Sequence, residues 1–366
     1  MRRLTVLLLA LAMLAGLTAC GMEPADPNTA QESIQVIAMD TVMTFSIYGE
    51  KSTHAVYAAE DEVRRLEGLL SRTDPESDVS RLNAAPAGEA VTVSEDTRSL
   101  LEMARFYAMM TEGAFDCTLA PVSSAWGFTE ESFRVPSRTE LDGLLQHVGW
   151  EKFQLPEGQN LTASHDEGVE IDLGGIAKGY VTDVIAGILE ENHVPRATIS
   201  LGGNVLVWGD RPDGTPWRVG IQDPARADAA DGYAGFLSLT DAFAVTSGSY
   251  QRYFEEDGQR YHHIIDPATG CPADSGLTSV TVVEKRERDA NSNILGSGTE
   301  CDALSTALFV MGEEKALEFW RTERESRQMS FDLVLVTEDG RVVVTDGIAD
   351  VFTPDETSGY AYETVS

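Results

Sequence analysis

Apolar and polar residues alternate from Ser33 to Tyr48, with Ile34 and Val36, then Val42, Phe45 and Ile47 as the apolar members, which predicts an extended segment. The period then changes. Val56, Ala59, Val63, Leu66, Leu69 and Leu70 recur at helical spacing over Ala55 to Leu70. Ser94 is placed to cap a helix running through Met110. Ala120-Pro121 opens a further segment that runs into Trp126-Gly127-Phe128, and helices are expected over 137–149, from Ile176 to Leu189, and from Asp302 to Met311, where Gly312 ends the last. Two strands are expected between 150 and Asp172, the second carried by Val169, Ile171 and Leu173. Others are expected at 197–201, 205–208, 217–222, 235–239, 242–246 and 278–284. Leu333–Thr337 and Arg341–Thr345 read as a hairpin about Glu338-Asp339-Gly340. Polar, Gly- and Ser-rich 287–299 reads as a surface loop. No repeat is visible, and strands mixed with a few helices without steady βαβ alternation predict an α+β fold with largely antiparallel sheet.

The ends divide from this body. Arg2 and Arg3 precede an apolar run, Leu4 to Leu17, too short for a spanning helix. Leu17-Thr18-Ala19-Cys20 resembles the lipobox of bacterial lipoproteins, in which Cys20 becomes a lipid-modified N-terminus; an ordinary signal peptide with an incidental cysteine is the alternative. The expected organisation is a leader at 1–20, a flexible tether at 21–34, one catalytic body at 35–357 and a tail at 358–366. The expected location is extracytoplasmic, lipid-anchored to the outer face of the cell membrane.

The chain has 27 basic and 60 acidic residues, a net charge of −33, and the leader removes only basic ones. Such a surface excludes nucleic acid as a partner and makes an anionic ligand hard to hold without a cation. Beyond Cys20, Cys117, Cys271 and Cys301 form neither a disulfide framework nor a zinc pattern, and a Cys271–Cys301 pair stays open.

Three segments could carry chemistry. In the first, Asp172-Leu173-Gly174-Gly175 leads into a helix holding Lys178 and Gly179. Glycines feeding a helix N-terminus can cradle a phosphate, or serve only as a turn. In the second, Asp302 and Thr306 lie four apart on one helix face with Ser305 beside them, an all-oxygen set suited to Mg²⁺; the alternative is a dipole-stabilised N-terminal acid. In the third, His262 and His263 point to opposite faces before the turn Asp266-Pro267-Ala268-Thr269-Gly270, so at most one can serve a given site as a base. Ser247 has no nucleophile-elbow context, and neither a dinucleotide fingerprint nor a P-loop is present, which excludes those chemistries.

In combination and order, Phe115-Asp116-Cys117-Thr118-Leu119-Ala120-Pro121, Trp126-Gly127-Phe128, Asp172 to Tyr180, Gly202-Gly203-Asn204, Thr246-Ser247-Gly248, His263 to Gly270 and Asp302 to Thr306 resemble the ApbE family, across about 37–352. The resemblance implies a T-fold-like α+β architecture and a Mg²⁺-dependent FAD:protein FMN transferase. FAD is the donor, FMN is joined to a Thr or Ser hydroxyl of an acceptor flavoprotein, and AMP is released. It further implies His263 and Asp302 as catalytic residues and Gly175, Asp302, Ser305 and Thr306 as metal ligands. The implied FAD contacts are Met43, Ser124, Ala125, Trp126, Asp172, Lys178 and Ile265. The chain departs from the family pattern at Met43, where a glycine is usual, and at Thr73, where some members carry an aromatic ring. An FAD pyrophosphatase and a non-catalytic flavin-binding lipoprotein are the competing readings.

Overall fold

The computed structural model describes residues 30–366 apart from 130–131, 157, 159–160, 230, 289–293 and 327–328. The leader, Cys20 and most of the tether lie outside the described residues. None of the described helices is long and apolar enough to cross a membrane.

Strands β1 (Gln31–Ala38) and β2 (Thr41–Tyr48) pair antiparallel about Met39 and Asp40, both at positive φ. That is the two-residue turn whose twist suits a hairpin, so the alternation expected as one segment folds back on itself. Helices α1 (Ser52–Leu70), α2 (Asp78–Ala84), α3 (Glu95–Met110), α4 (Ala120–Trp126) and α5 (Arg138–Leu144) follow. Ser94 caps α3 as expected, its side chain accepting from the Thr97 N–H. Among them, β3 (Val91–Thr92), β4 (Phe153–Gln154) and β5 (Thr162–His165) form a small sheet.

After α6 (Ala177–Glu191) come β6 (Arg196–Leu201), β7 (Asn204–Trp208), β8 (Trp217–Gln222), β9 (Tyr233–Leu239) and β10 (Ala242–Gly248). A hairpin, β11 (Tyr253–Glu256) and β12 (Gln259–His262), precedes β13 (Leu277–Lys285) and the short pair β14 (Glu287–Arg288) and β15 (Ile294–Leu295). Helices α7 (Gly298–Met311) and α8 (Glu313–Ser326) lead to β16 (Asp332–Thr337), β17 (Arg341–Thr345), β18 (Phe352–Pro354) and β19 (Ala361–Val365).

A nine-stranded sheet runs β1-β2-β6-β7-β10-β13-β16-β17-β19, antiparallel except for β17 with β19. Both faces are covered. Phe243 and Val245 of β10, with Leu333 and Leu335 of β16, face the core under α1, α6, α7 and α8. Ala242, Ala244, Val334 and Val336 face a second core beneath the three-stranded sheet β18-β9-β8. A strand buried on both sides reads as a continuous apolar run, as Leu333-Val334-Leu335-Val336 does.

Three expectations are corrected. Residues 169–173 are not a strand, although Val169, Ile171 and Leu173 are all buried. The Asn83 carboxamide holds both the N–H and the carbonyl of Ile171, at 2.7 and 2.8 Å, and the Asp172 N–H reaches the Cys117 carbonyl at 2.7 Å. The backbone is satisfied without a ladder. The polar stretch 287–299 contains the β14–β15 pair and the first turn of α7 instead of being loop throughout. The expected tail contains β19, an edge strand of the main sheet. The three cysteines after Cys20 are free thiols.

Candidate functional site

The start of β2, the turn between β6 and β7, strands β8 and β10, the N-terminal turn of α6 and the second and third turns of α7 surround a cavity of about 990 Å³. Its placement depends on a close helix crossing. A Cβ on Gly179 would lie 2.2 Å from the Gly298 carbonyl oxygen and 2.7 Å from Asp302 Cβ, so only glycine lets α6 approach α7 this way. The crossing brings Asp302 to the head of α6, where Oδ2 accepts the Gly179 N–H at 2.9 Å. The α7 N-terminus is pinned by Asp183, which accepts from the N–H groups of Gly298 and Thr299 and the hydroxyls of Ser297 and Thr299. Since α7 begins at Gly298, Asp302 lies beyond its first turn, which removes the reading of Asp302 as a dipole-stabilised terminal acid.

Part of the junction expected to cradle a phosphate is bound within the protein. The Gly174 N–H donates to Asp172 Oδ1 at 2.8 Å, and those of Ile176 and Ala177 donate to the Leu173 carbonyl. With Gly179 held by Asp302, four amides of this junction are engaged within the protein. Those four do not point at the cavity, and Gly175 and Lys178 of the same junction line it.

Asp172, Gly175, Lys178, His263, Ile265, Asp302 and Thr306 all line the cavity. Asp302 Oδ2 is engaged, whereas Oδ1 makes no hydrogen bond among the described residues. A Cβ on Gly175 would lie 3.8 Å from Thr306 Oγ1, so this backbone and that hydroxyl are neighbours. One carboxylate oxygen, one hydroxyl and an adjacent main chain form an oxygen donor set that suits a hard, partly hydrated cation. No cluster of three His, Cys, Asp or Glu side chains capable of holding a metal occurs among the described residues. His263 places Nδ1 3.1 Å from the Arg252 carbonyl. A carbonyl only accepts, so Nδ1 carries the proton and Nε2 keeps its lone pair. Burial, with the nearby Arg252 and Lys178 charges, holds the His263 pKa well below the ordinary histidine value. His262 turns away, its Nε2 3.2 Å from the Ala273 carbonyl, as alternation predicts. Asp266 is a turn former, accepting from Ala268 N–H and the Thr269 hydroxyl.

Five expected site residues do not line the cavity. Met43 is fully buried in the core; its neighbours Met39, Asp40 and Thr41 are the ones that line. Trp126 is 2% exposed, with its indole N–H donating to the Gly270 carbonyl at 2.7 Å, so its ring serves a satellite core. Ala125 is buried beside it, and Ser124 is bound to the Arg72 guanidinium at 2.6 Å. Ser305 is fully buried. On that side the cavity wall is Ala114, Phe115, Asp116, Ser123 and Phe128. Arg72 also lines the cavity and was missed, because a lone cation after a helix carries no spacing signal.

A model of the ApbE family matches residues 39–331. The chain belongs to the ApbE family. The FAD:protein FMN transferase of Treponema pallidum (strain Nichols) is 32% identical over 355 residues, covering 92% of each chain. That of Klebsiella pneumoniae (strain 342) is 33% identical over 298 residues, 81% of this chain and 86% of the relative. Among solved structures, the ApbE protein from Thermotoga maritima superposes with a TM-score of 0.76 at 34% identity, over 88% of this chain and 99% of that one. The flavin transferase ApbE from Vibrio cholerae gives 0.74 at 27% identity, again over 88% and 99%. The ApbE architecture therefore extends over nearly all the described residues.

Proposed function

We propose that this chain is an FAD:protein FMN transferase that uses Mg²⁺ and modifies a Thr or Ser hydroxyl on an acceptor flavoprotein. The observation that carries the reading is the convergence of Asp302, Thr306 and Gly175 with His263 and Lys178 on one cavity. The acceptor hydroxyl oxygen attacks the FMN-side phosphorus, the bridging P–O bond breaks, and AMP departs with the bridging oxygen. One phosphoester replaces one pyrophosphate bond. His263 Nε2 is the lone pair placed to take the hydroxyl proton, and its low pKa keeps it unprotonated at neutral pH. Lys178 contributes a positive charge at the α6 N-terminus.

The cavity wall carries six carboxylates, Asp40, Glu67, Asp116, Asp172, Asp228 and Asp302, against three cations, Arg72, Lys178 and Arg252. That balance alone disfavours an anionic donor. Asp302, Thr306 and the Gly175 main chain would hold Mg²⁺, which when bound neutralises pyrophosphate charge. We further propose that Cys20 carries a lipid anchor. The ten or so residues to β1 would span at most about 35 Å, enough to hold the body near the membrane without embedding it.

The test is to incubate the chain from Gly21 with FAD, Mg²⁺ and an acceptor domain, with and without EDTA, and weigh the acceptor. A Mg²⁺-dependent gain of one FMN on a Thr or Ser is expected. Free FMN and AMP without acceptor gain would make it a pyrophosphatase, and bound FAD without turnover a carrier.

A further inference from the structure

Three hydroxyls stand in line behind the proposed cation site. Thr306 Oγ1 lies 3.2 Å from Ser247 Oγ, Ser247 Oγ lies 2.8 Å from Ser305 Oγ, and Ser305 Oγ lies 3.0 Å from the Asp302 carbonyl oxygen. The far end fixes the direction. A carbonyl has no proton to give, so Ser305 donates to it. A hydroxyl has one proton, so Ser305 can only accept from Ser247, which in turn can only accept from Thr306. All three protons therefore run inward, toward the Asp302 main chain. A hydroxyl binds a cation through a lone pair, and this order turns the Thr306 lone pairs outward to the cavity.

The positions agree with that order. Ser247 follows Phe243 and Val245 on the helix-facing side of β10, and both it and Thr306 line the cavity. Ser305 is fully buried and does not. From this geometry we propose that Ser247, a residue on a different element from the helix ligands, is the positioning residue of the metal site. It acts by accepting the Thr306 proton, while Ser305 anchors the relay and does not touch the cation. The proposal rests on the Mg²⁺ reading given above, and it gives Ser305, which the family resemblance implied as a ligand, an anchoring place in the relay instead.

The experiment is Mn²⁺ binding to the full chain in detergent, followed by loss of the free Mn²⁺ electron paramagnetic resonance signal, with no FAD or acceptor present. Ser247→Ala is expected to weaken binding about tenfold, the lower end of what losing a ligand-orienting partner costs. Ser247→Thr, which keeps an acceptor oxygen, should restore it to within about threefold. Ser305→Ala should cost less than Ser247→Ala, because Ser247 can still accept from Thr306. Equal or greater loss in Ser305→Ala, or unchanged binding in Ser247→Ala with Ser247→Thr as the folded control, overturns the assignment. A wild-type chain that takes up no Mn²⁺ overturns the metal reading itself, and this assignment with it, by a different signature.

Discussion

The Arg72 guanidinium meets the Asp172 carboxylate at 3.1 Å across a separation of one hundred residues. The same side chain holds Thr129 at 3.0 Å and Ser124 at 2.6 Å, so one planar fork joins the turn after α1, helix α4 and the approach to α6. Arg72 is mostly buried and lines the cavity. Its charge also offsets Asp172 where an anionic donor is expected. Arg72→Ala should weaken FAD binding by about 2 kcal/mol, the scale of hydrogen bonds to a charged group. Arg72→Lys should not rescue it, since an ammonium cannot hold three diverging partners in that plane. Quenching of FAD fluorescence reads both; full affinity in Arg72→Lys would show that charge alone suffices.

Asp302→Asn should abolish transfer while leaving the melting temperature within a few degrees. The amide oxygen can still accept the Gly179 N–H, so the helix crossing survives, but the anionic donor oxygen facing the cavity is lost. Transfer by intact mass and melting by circular dichroism separate the two effects. Retained activity would remove Asp302 from the proposed metal site.

The crossing of α6 and α7 gives a packing prediction with an internal control. Gly179→Ala forces a methyl against the Gly298 carbonyl, and overpacking of this kind costs about 1–3 kcal/mol. Gly187, on the same helix, has nothing within 4 Å of an added Cβ, so Gly187→Ala should stabilise by about 0.5–1 kcal/mol through helix propensity. Opposite shifts in melting temperature are expected from the pair. Gly179→Ala should also lose activity, because Asp302 moves with α7.

The pH behaviour follows from the lowered pKa of His263. The imidazole protonates below the ordinary value of 6.5, so any acid limb it imposes on kcat/KM in the free enzyme should fall below about pH 6. The unfolded chain binds this proton more readily than the folded one, so stability from the neutral ring is present above pH 6.5 and declines as pH falls below it. A proton NMR titration of the ring checks the assignment, and a midpoint at or above 6.5 contradicts it.

Trp126→Phe should leave FAD affinity unchanged. The indole is packed in the satellite core with Ile265 and Leu141, and the change removes its bond to the Gly270 carbonyl and part of the ring's packing volume there. A stability loss of about 1–2 kcal/mol without a binding change is expected. Weakened binding would return Trp126 to the cavity wall.

What could be read from the sequence divides along a physical line. Period-2 and period-3.6 patterns report burial, and they locate α1, α3, α6 and the β16–β17 hairpin well. They cannot report hydrogen-bond partners. Val169, Ile171 and Leu173 alternate like a strand because they are buried, yet a side chain, Asn83, takes the place of a neighbouring strand. The same limit governed the site. Asp302, Thr306, Asp172 and His263 lie within motifs and do reach one cavity, whereas Arg72 and the Ser247 hydroxyl act through contacts made only by the folded chain. Trp126 was misplaced because an aromatic beside a cavity segment looks the same in sequence whether it faces the ligand or the core.

The parallel pairing of β19 onto β17 bears on how the chain survives outside its folded neighbourhood. Without its last residues, β17 would become the rim of the sheet, offering unpaired amides flanked by Val342, Val343 and Val344, a short apolar segment of high β-propensity. The strand that covers it carries Glu363, a charge that discourages further pairing. A C-terminal truncation before Ala361 is thus a route to self-association more than to a smaller enzyme, and proteolytic nicking there would be expected to yield polymers.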